Sequence, residues 1–211
     1  MDLGILRTKL EADKEHTVKA ICVVHNETTS RVTNNLAAIR NVLDDCMHPA
    51  LFLVDDVSSI CDIDFRMDEC EVDVVLTGSQ KSSFLADRCW YCVHKPKGLR
   101  RSKDCKIAEG IFYWNNYLKF YKLGTYWPYT PSIQILYGLR AALDLVFEED
   151  LDNVIARQTR LGTETRIDVQ AWGVKNCARR KEWFSDTVTT VVFPPYIDST
   201  KNNDLEKIFG S

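Results

Sequence analysis

Three polar side chains, Thr28, Asp55 and Lys81, each follow an apolar segment of the sequence. A lysine amine condenses with an aldehyde to form a Schiff base, and a carboxylate holds a proton on a pyridine nitrogen by charge pairing. Hydroxyl groups and helix N-termini bind phosphate. Together these residue types suit a site for pyridoxal phosphate (PLP). Each of them alone is a weak signal, because an aspartate after an apolar strand is more often a cap or turn residue and a lysine in a loop is usually solvated.

The apolar segments that precede these side chains predict strands over residues 17–24, 50–54 and 72–76. A helix is predicted between the first two strands, with Thr33 or Asn34 as its cap, Pro49 as its stop and apolar residues at helical spacing: Leu36, Ile39, Leu43 and Cys46. A short amphipathic stretch is predicted around residues 65–70. Strands alternating with helices indicate a parallel sheet covered on both faces, whose ligands bind beyond the carboxyl ends of the strands.

The second half of the sequence predicts helices. Thr130 caps a helix with Pro131 in its first turn, and more helix is expected over residues 151–171. Residues 187–193 predict a strand that opens a second, smaller region. The basic residues between 95 and 106 are assigned to a solvated surface and given no function.

Composition excludes several classes of protein. The 211 residues have a formal net charge of −3 and are 45% hydrophobic, which fits a folded globular chain and argues against a nucleic-acid binder. No apolar run approaches the ~18 residues of a membrane span, and no secretory signal is expected.

Eight cysteines in a chain of this length favour a reducing compartment. Cys89 and Cys92, with Cys105 and His94 nearby, leave open a thiol or metal site, although chance thiols are the favoured interpretation.

Four motifs resemble a known family of enzymes. They are Val-Asp-Asp-Val-Ser-Ser at 54–59, Leu-Thr-Gly-Ser-Gln-Lys at 76–81, His-Asn-Glu-Thr-Thr at 25–29, and the stretch 117–131 that contains Gly-Thr-Tyr-Trp-Pro-Tyr-Thr-Pro. Over roughly residues 9–199 the chain resembles the class V PLP-dependent aminotransferases, above all the plant-type serine–glyoxylate (alanine–glyoxylate) subgroup.

The resemblance implies a role for each matching residue. Lys81 would form the Schiff base and move the substrate's α-proton, Asp55 would pair with the pyridinium nitrogen, and Val57 would pack against the ring. Thr28 and Gln80 would hydrogen-bond to the cofactor. Thr130, with Tyr126 or Trp127 beside it, would reach the phosphate across a homodimer interface. No metal is implied.

The chain also departs from the family pattern. Asp56 and Arg31 stand where the family has a small residue, usually glycine, and the expected Pro/Gly-containing segment after Lys81 is replaced by residues 82–89 without a glycine. A second carboxylate beside Asp55 is expected to raise the pKa of Asp55 by like-charge repulsion. The family's amino-terminal phosphate loop and its substrate-clamping arginine have no counterpart in the sequence.

The sequence therefore predicts an α/β fold, part of a fold-type-I aminotransferase large domain with helices on both faces of a mainly parallel sheet. Its expected divisions are 1–150 for the cofactor-binding domain, 151–199 for the connecting helix and the start of the small domain, and 200–211 for a divergent tail. The implied activity is amino transfer from serine or alanine to glyoxylate, peroxisomal by resemblance although the final Phe-Gly-Ser is no peroxisomal address. The alternative is a truncated, impaired chain that only binds PLP or a full-length partner subunit.

Overall fold

The computed structural model describes residues 1–81, 90–102, 113–125 and 127–197. The helices are α1 (Leu3–Ala12), α2 (Leu36–Asp45), α3 (Pro96–Ser102), α4 (Trp114–Lys122), α5 (Ile133–Glu149) and α6 (Leu151–Ala171). The strands are β1 (Ala20–Val24), β2 (Asn26–Glu27), β3 (Val32–Thr33), β4 (Leu51–Asp55), β5 (Val74–Gly78), β6 (Trp90–His94), β7 (Lys175–Asn176) and β8 (Val191–Val192).

The main sheet has the strand order β1-β4-β5-β6. Strands β1, β4 and β5 are parallel, with Val24 opposite Asp55 and Asp55 opposite Leu76. This arrangement confirms the three predicted strands and the mainly parallel sheet. The antiparallel β6, which places Cys92 opposite Leu76, was not predicted.

One face of the sheet carries the core. Phe52 and Val54 of β4 are 0% and 2% exposed, and they pack with Ile39 and Leu43 of α2. Leu6 and Leu10 of α1 join the same cluster. Helices α1 and α2 thus form the layer that supports the strands from this side.

The opposite face of the sheet is open among the described residues. Val24 and Leu76 are 36% and 42% exposed there, and Cys22 is exposed as well. Together with Leu53 and Asp55 these side chains line a shallow cavity of about 300 Å³. The open part of this face is limited to the region of Asp55 and Leu76, since Trp114 of α4 stacks on His94 of β6 on the same face.

The helix caps differ from the predictions by one or two residues. Helix α2 is capped by Asn35, whose side-chain oxygen accepts a hydrogen bond from the Ala38 N–H at 2.9 Å, so the predicted caps Thr33 and Asn34 are wrong. Helix α5 has Ser132 at its N-cap position without a side-chain hydrogen bond, so Thr130 is not its cap. In the stretch predicted to be amphipathic, residues 67–70 form a turn, and Phe65, Met67 and Cys70 pack against the core.

The carboxyl-terminal half packs back on the strand-end loops. Helix α6 spans the predicted residues 151–171, and Arg166 near its end forms an ion pair of 2.9 Å with Asp186. The strand predicted over 187–193 is confined to the two residues of β8, which pair with β7. Of the described helices, none combines the length and the apolar content that a membrane span needs.

Arg31 occupies a backbone conformation that favours glycine. Its φ is 57°, and an L-residue with a side chain is uncommon there. The Arg31 Nε donates to Thr190 Oγ1 at 2.5 Å, and its N–H donates to the Glu27 carbonyl oxygen at 2.8 Å. The arginine thereby ties the β2–β3 turn to the segment before β8, a contact that glycine would lack.

Asp13 fixes the connection between α1 and β1. Its carboxylate accepts hydrogen bonds from the Val18 and Thr17 N–H groups at 2.8 and 2.9 Å, and it lies 3.3 Å from Nε2 of the buried His48. These hydrogen bonds, the Val18 N–H first, lower the pKa of Asp13 well below its ordinary value. The folded chain therefore favours the ionised form of this carboxylate.

We expect acid to remove this stabilisation. Because the folded pKa is lowered, the contribution is complete above the unfolded pKa of about 3.9 and is lost as the pH falls from there toward the folded value. Asp13→Asn should lower the urea midpoint at pH 7 and flatten its decline below pH 4. An Asp13→Asn variant with the wild-type midpoint at both pH values would contradict this role. The exposed Asp68→Asn is the matched control.

Candidate active site

The predicted strand-end residues lie at one edge of the sheet. Asp55 is the last residue of β4, and Thr28 lies in the turn after β2, four residues beyond the end of β1. Gln80 and Lys81 follow the end of β5 at Gly78. Because β1, β4 and β5 are parallel neighbours, their carboxyl ends bring these side chains to the same edge.

Asp55 faces the open side of the sheet. It is half-buried and lines the cavity beside Val24 and Leu76. Its Oδ1 accepts a hydrogen bond from the Val57 N–H at 3.0 Å, which fixes the direction of the carboxylate relative to the following turn. The other side-chain oxygen has no hydrogen-bond partner among the described residues, so Asp55 can accept a proton-bearing group from that side.

Asp56 points the other way, into the protein. It is 0% exposed, and its Oδ1 lies 2.9 Å from Nδ1 of His25 and 2.5 Å from the Ser59 hydroxyl. Its Oδ2 is buried and has no hydrogen-bond partner among the described residues. Successive side chains of an extended strand alternate between faces, so the two neighbouring carboxylates are held apart rather than side by side.

The segment after β5 provides an acceptor and an amine. The Gln80 side chain folds back over Gly78, where a Cβ would lie 2.5 Å from Gln80 Oε1. That Oε1 is buried without a hydrogen-bond partner among the described residues. Lys81 is exposed, and no ion pair or hydrogen bond joins its amine to the described part of the chain. A glycine at 78 is needed for this close approach.

The second group of predicted residues lies elsewhere. Thr130 and Trp127 are exposed, Trp127 by 48%, and no hydrogen bond links either of them to the strand-end residues among those described. Tyr126 lies outside the described residues. The structure therefore brings Thr28, Asp55, Val57, Gln80 and Lys81 to one edge but does not bring Thr130 to it within one chain.

These residues fit PLP. The cofactor needs an amine, a carboxylate for its ring nitrogen and further hydrogen-bonding groups. The edge offers the exposed Lys81, the half-buried Asp55 carboxylate and the buried Gln80 Oε1, which has no hydrogen-bond partner in the described part of the chain. A buried acceptor without a hydrogen bond is costly unless a ligand or water donates to it. The buried Oε1 of Gln80 therefore indicates a ligand at this edge.

The cysteines in the described ranges give no support to a thiol or metal site. Burial raises the pKa of the Cys92 and Cys61 thiols, which disfavours the reactive thiolate. Within the described ranges no group of three His, Cys, Asp or Glu side chains is placed to hold a metal ion. Cys89 and Cys105 lie outside these ranges, so their pairing with Cys92 and His94 stays untested.

Sequence reasoning missed the buried group behind Asp55. His25, Asp56 and Ser59 are 4%, 0% and 0% exposed. The signal available in the sequence was the alternation of Asp55 and Asp56 at the end of an apolar strand, which requires the second carboxylate to face the core. His25 lies directly after β1 and is therefore the strand-end residue nearest in register to that position.

The sequence is similar to those of known aminotransferases. The chain is 59% identical over 200 residues to serine–glyoxylate aminotransferase of Arabidopsis thaliana, covering 95% of this chain and 50% of the relative. It is 44% identical over 197 residues to serine–glyoxylate aminotransferase of Methylorubrum extorquens, covering 91% of this chain and 49% of the relative. No family model matches the chain.

Solved structures show the same fold. The pyridoxamine–pyruvate aminotransferase of Mesorhizobium loti superposes with a TM-score of 0.86 at 24% identity, over 95% of this chain and 50% of that one. The chain thus spans about half the length of the curated relatives it matches. It is a homologue of the serine–glyoxylate aminotransferases over that half, and its α/β fold is that of the corresponding half of the fold-type-I, class V aminotransferases.

Proposed function

We propose that this chain supplies the lysine-bearing part of a PLP-dependent transaminase that transfers an amino group from serine or alanine to glyoxylate, giving glycine. The observation that carries the proposal is the strand edge at which the exposed Lys81, the half-buried Asp55 and the buried Gln80 Oε1 follow adjacent parallel strands, the last without a hydrogen-bond partner among the described residues. The relatives named above as serine–glyoxylate aminotransferases support the choice of glyoxylate as the amino acceptor.

Each residue of the edge would have a separate task. Bound PLP supplies an electron sink for the substrate's Cα electrons. Lys81 would hold the cofactor through its amine and, once displaced by substrate, move the proton at the substrate Cα. Asp55 would hold the proton on the ring nitrogen, and Val57 would pack beside the ring. Gln80 and Thr28 would hydrogen-bond to the polar groups of the cofactor.

We further propose that the active form is a homodimer in which Thr130 and its neighbours complete the partner's phosphate site. Helix α5, which begins near Thr130, exposes a stripe of apolar side chains at four- to eight-residue spacing: Ile133, Tyr137 and Leu145 are 52%, 74% and 63% exposed. Large exposed apolar patches mark interaction sites, and isologous dimers bury such a face against itself. Peroxisomal residence is part of the same proposal, since the subgroup that the motifs resemble resides there.

Sedimentation tests the dimer. We expect the chain to sediment as a dimer at micromolar concentration and Tyr137→Glu to shift it toward the monomer, because a charge in an apolar interface loses its hydration. Lys119→Glu, an exposed position on α4, is the control. A wild-type chain that stays monomeric and soluble at high concentration would contradict the proposal.

Labelling tests the cofactor site. The purified chain is incubated with PLP, reduced with borohydride and digested, and the pyridoxyl group is located by mass spectrometry. We expect it on the peptide that contains Lys81, and we expect Lys81→Arg to remove it while Lys119→Arg leaves it in place. A label spread evenly over exposed lysines would contradict the role of Lys81.

Turnover distinguishes the proposal from its alternative. Serine, glyoxylate and excess PLP are added to the purified chain that has not been treated with borohydride, and glycine and hydroxypyruvate are measured. Production of both supports the transaminase. Specific labelling of Lys81 without turnover would instead favour a chain that binds PLP and needs a full-length partner subunit, and addition of such a relative then tests for recovery.

A further inference from the structure

Hydrogen bonds from neighbouring segments hold the backbone of Asp55 and Asp56. The His25 N–H donates to the Asp55 carbonyl oxygen at 2.9 Å, and the Asp56 N–H donates to the Leu76 carbonyl oxygen at 2.8 Å. The Thr77 hydroxyl donates to the Asp56 carbonyl oxygen at 3.3 Å. The backbone at the end of β4 is thus joined to β1 and to β5, the two strands beside it.

His25 contacts both carboxylate-bearing residues. Its backbone holds the Asp55 carbonyl, while its ring Nδ1 lies 2.9 Å from Asp56 Oδ1. A carboxylate only accepts hydrogen bonds, so the ring nitrogen is the donor when Asp56 is ionised. The ring is 4% exposed and rests against Phe65 with a centroid distance of 5.6 Å. Both its position and its orientation are therefore fixed.

Asp56 depends on His25. A fully buried carboxylate is tolerated only when it is paired and hydrogen-bonded. Asp56 has two such partners, the His25 ring and the Ser59 hydroxyl, while its Oδ2 has none among the described residues. Without the ring, Asp56 Oδ1 keeps only the Ser59 hydroxyl, so the ionised carboxylate loses stability in the interior and rotation of the end of β4 that brings Asp56 toward water becomes less unfavourable. Such a rotation would turn Asp55 away from the open face of the sheet.

We infer that His25 is a positioning residue for Asp55, because it holds the Asp56 carboxylate in the interior and so leaves Asp55 as the one carboxylate that this peptide presents to the cofactor edge. The inference deepens the proposed function and rests on it for the role of Asp55. It also explains how the chain carries an aspartate where the resemblance leads one to expect a small residue. His25 and Asp56 then act as one unit.

A double-mutant cycle tests this coupling. The variants are His25→Leu, Asp56→Gly and the double variant, with Asp13→Asn as a control for loss of stability at a site remote from Asp55. One readout is the exchange of the Val57 amide, whose hydrogen bond to Asp55 Oδ1 reports the direction of the carboxylate. The buried Phe52 amide, bonded to Asp73 Oδ2 at 2.9 Å, is the internal reference. The second readout is the affinity for PLP.

We expect His25→Leu to lower Val57 protection relative to Phe52, and to weaken PLP binding, by about tenfold, because removal of one partner strands a buried charge. The Asp56→Gly variant alone should keep the Val57 amide protection and the PLP affinity within about threefold of wild type. The double variant should return both quantities to that range. Asp13→Asn should lower the unfolding midpoint without changing either readout. A merely structural pair would lower stability and leave both readouts unchanged.

The outcomes separate this inference from the proposed function. Equal effects of His25→Leu with and without Asp56, or no effect at all, overturn the inference. Coupling at the Val57 amide in a chain that binds no PLP supports the positioning role and contradicts the proposed function. If His25→Leu does not fold, His25→Gln, whose amide can still donate to Asp56, takes its place as a rescue variant: it should keep both readouts within about threefold of wild type, and a tenfold loss of either one overturns the inference.

Discussion

Asp55→Asn is expected to weaken PLP binding roughly a hundredfold, since truncating one partner of a hydrogen-bonded charge pair costs about 2–5 kcal/mol. The half-buried carboxylate at the end of β4 is the anionic group of the cofactor edge that faces the open cavity. Asparagine keeps its shape and its hydrogen bond from the Val57 N–H but cannot hold a proton on the ring nitrogen. Quenching of tryptophan fluorescence by PLP measures the affinity.

The matched control for this change is Asp68→Asn, an exposed carboxylate whose side chain is 95% accessible. It removes the same charge from the chain without touching the edge, so PLP affinity should stay unchanged. If Asp55→Asn binds PLP as tightly as wild type and shows the same absorption band, another group holds the ring nitrogen. Lys81 labelling would then stand without the assigned role of Asp55.

The strand edge could be predicted from sequence because its signals are local. An apolar, β-branched run followed by a polar residue marks the end of a buried parallel strand, and three such runs place Thr28, Asp55 and Lys81 at one edge. Helix α6 was predicted at its observed bounds for the same reason, since its pattern extends over many turns. The fold class and these three residues follow from the patterns, whereas Val57 and Gln80 were implied only by the family resemblance.

The cap residues and the strand direction of β6 could not be obtained in this way. Neighbouring polar residues compete for a cap position, and backbone geometry selects Asn35 over Asn34 and Ser132 over Thr130. The antiparallel β6 follows residues with little periodicity, so its partner is chosen by tertiary contacts. The partner of Asp56 could not be predicted either, because His25 lies 31 positions earlier and no local pattern contains that contact.

Apolar runs also conceal which face of a strand is buried. All residues of 51–54 are apolar, so the sequence predicts burial on both faces, yet Phe52 is 0% exposed and the Leu53 side lines the open cavity. A face of this kind differs energetically from the core face, because its side chains retain contact with water. Alanine substitutions on the two faces should therefore lower the free energy of unfolding by different amounts.

Phe52→Ala is expected to lower the free energy of unfolding by about 3–5 kcal/mol, as for other buried aromatic residues cut back to alanine. The side chain packs within the cluster of α1, α2 and the strands, where its removal leaves a cavity. Leu76→Ala, on the open face and 42% exposed, should cost only about 1 kcal/mol because less apolar area is withdrawn from water. Urea unfolding monitored by circular dichroism measures both. A Leu76→Ala cost as large as that of Phe52→Ala would mean that another polypeptide layer covers the open face in solution, and the cavity beside Asp55 would then be an enclosed part of the cofactor edge.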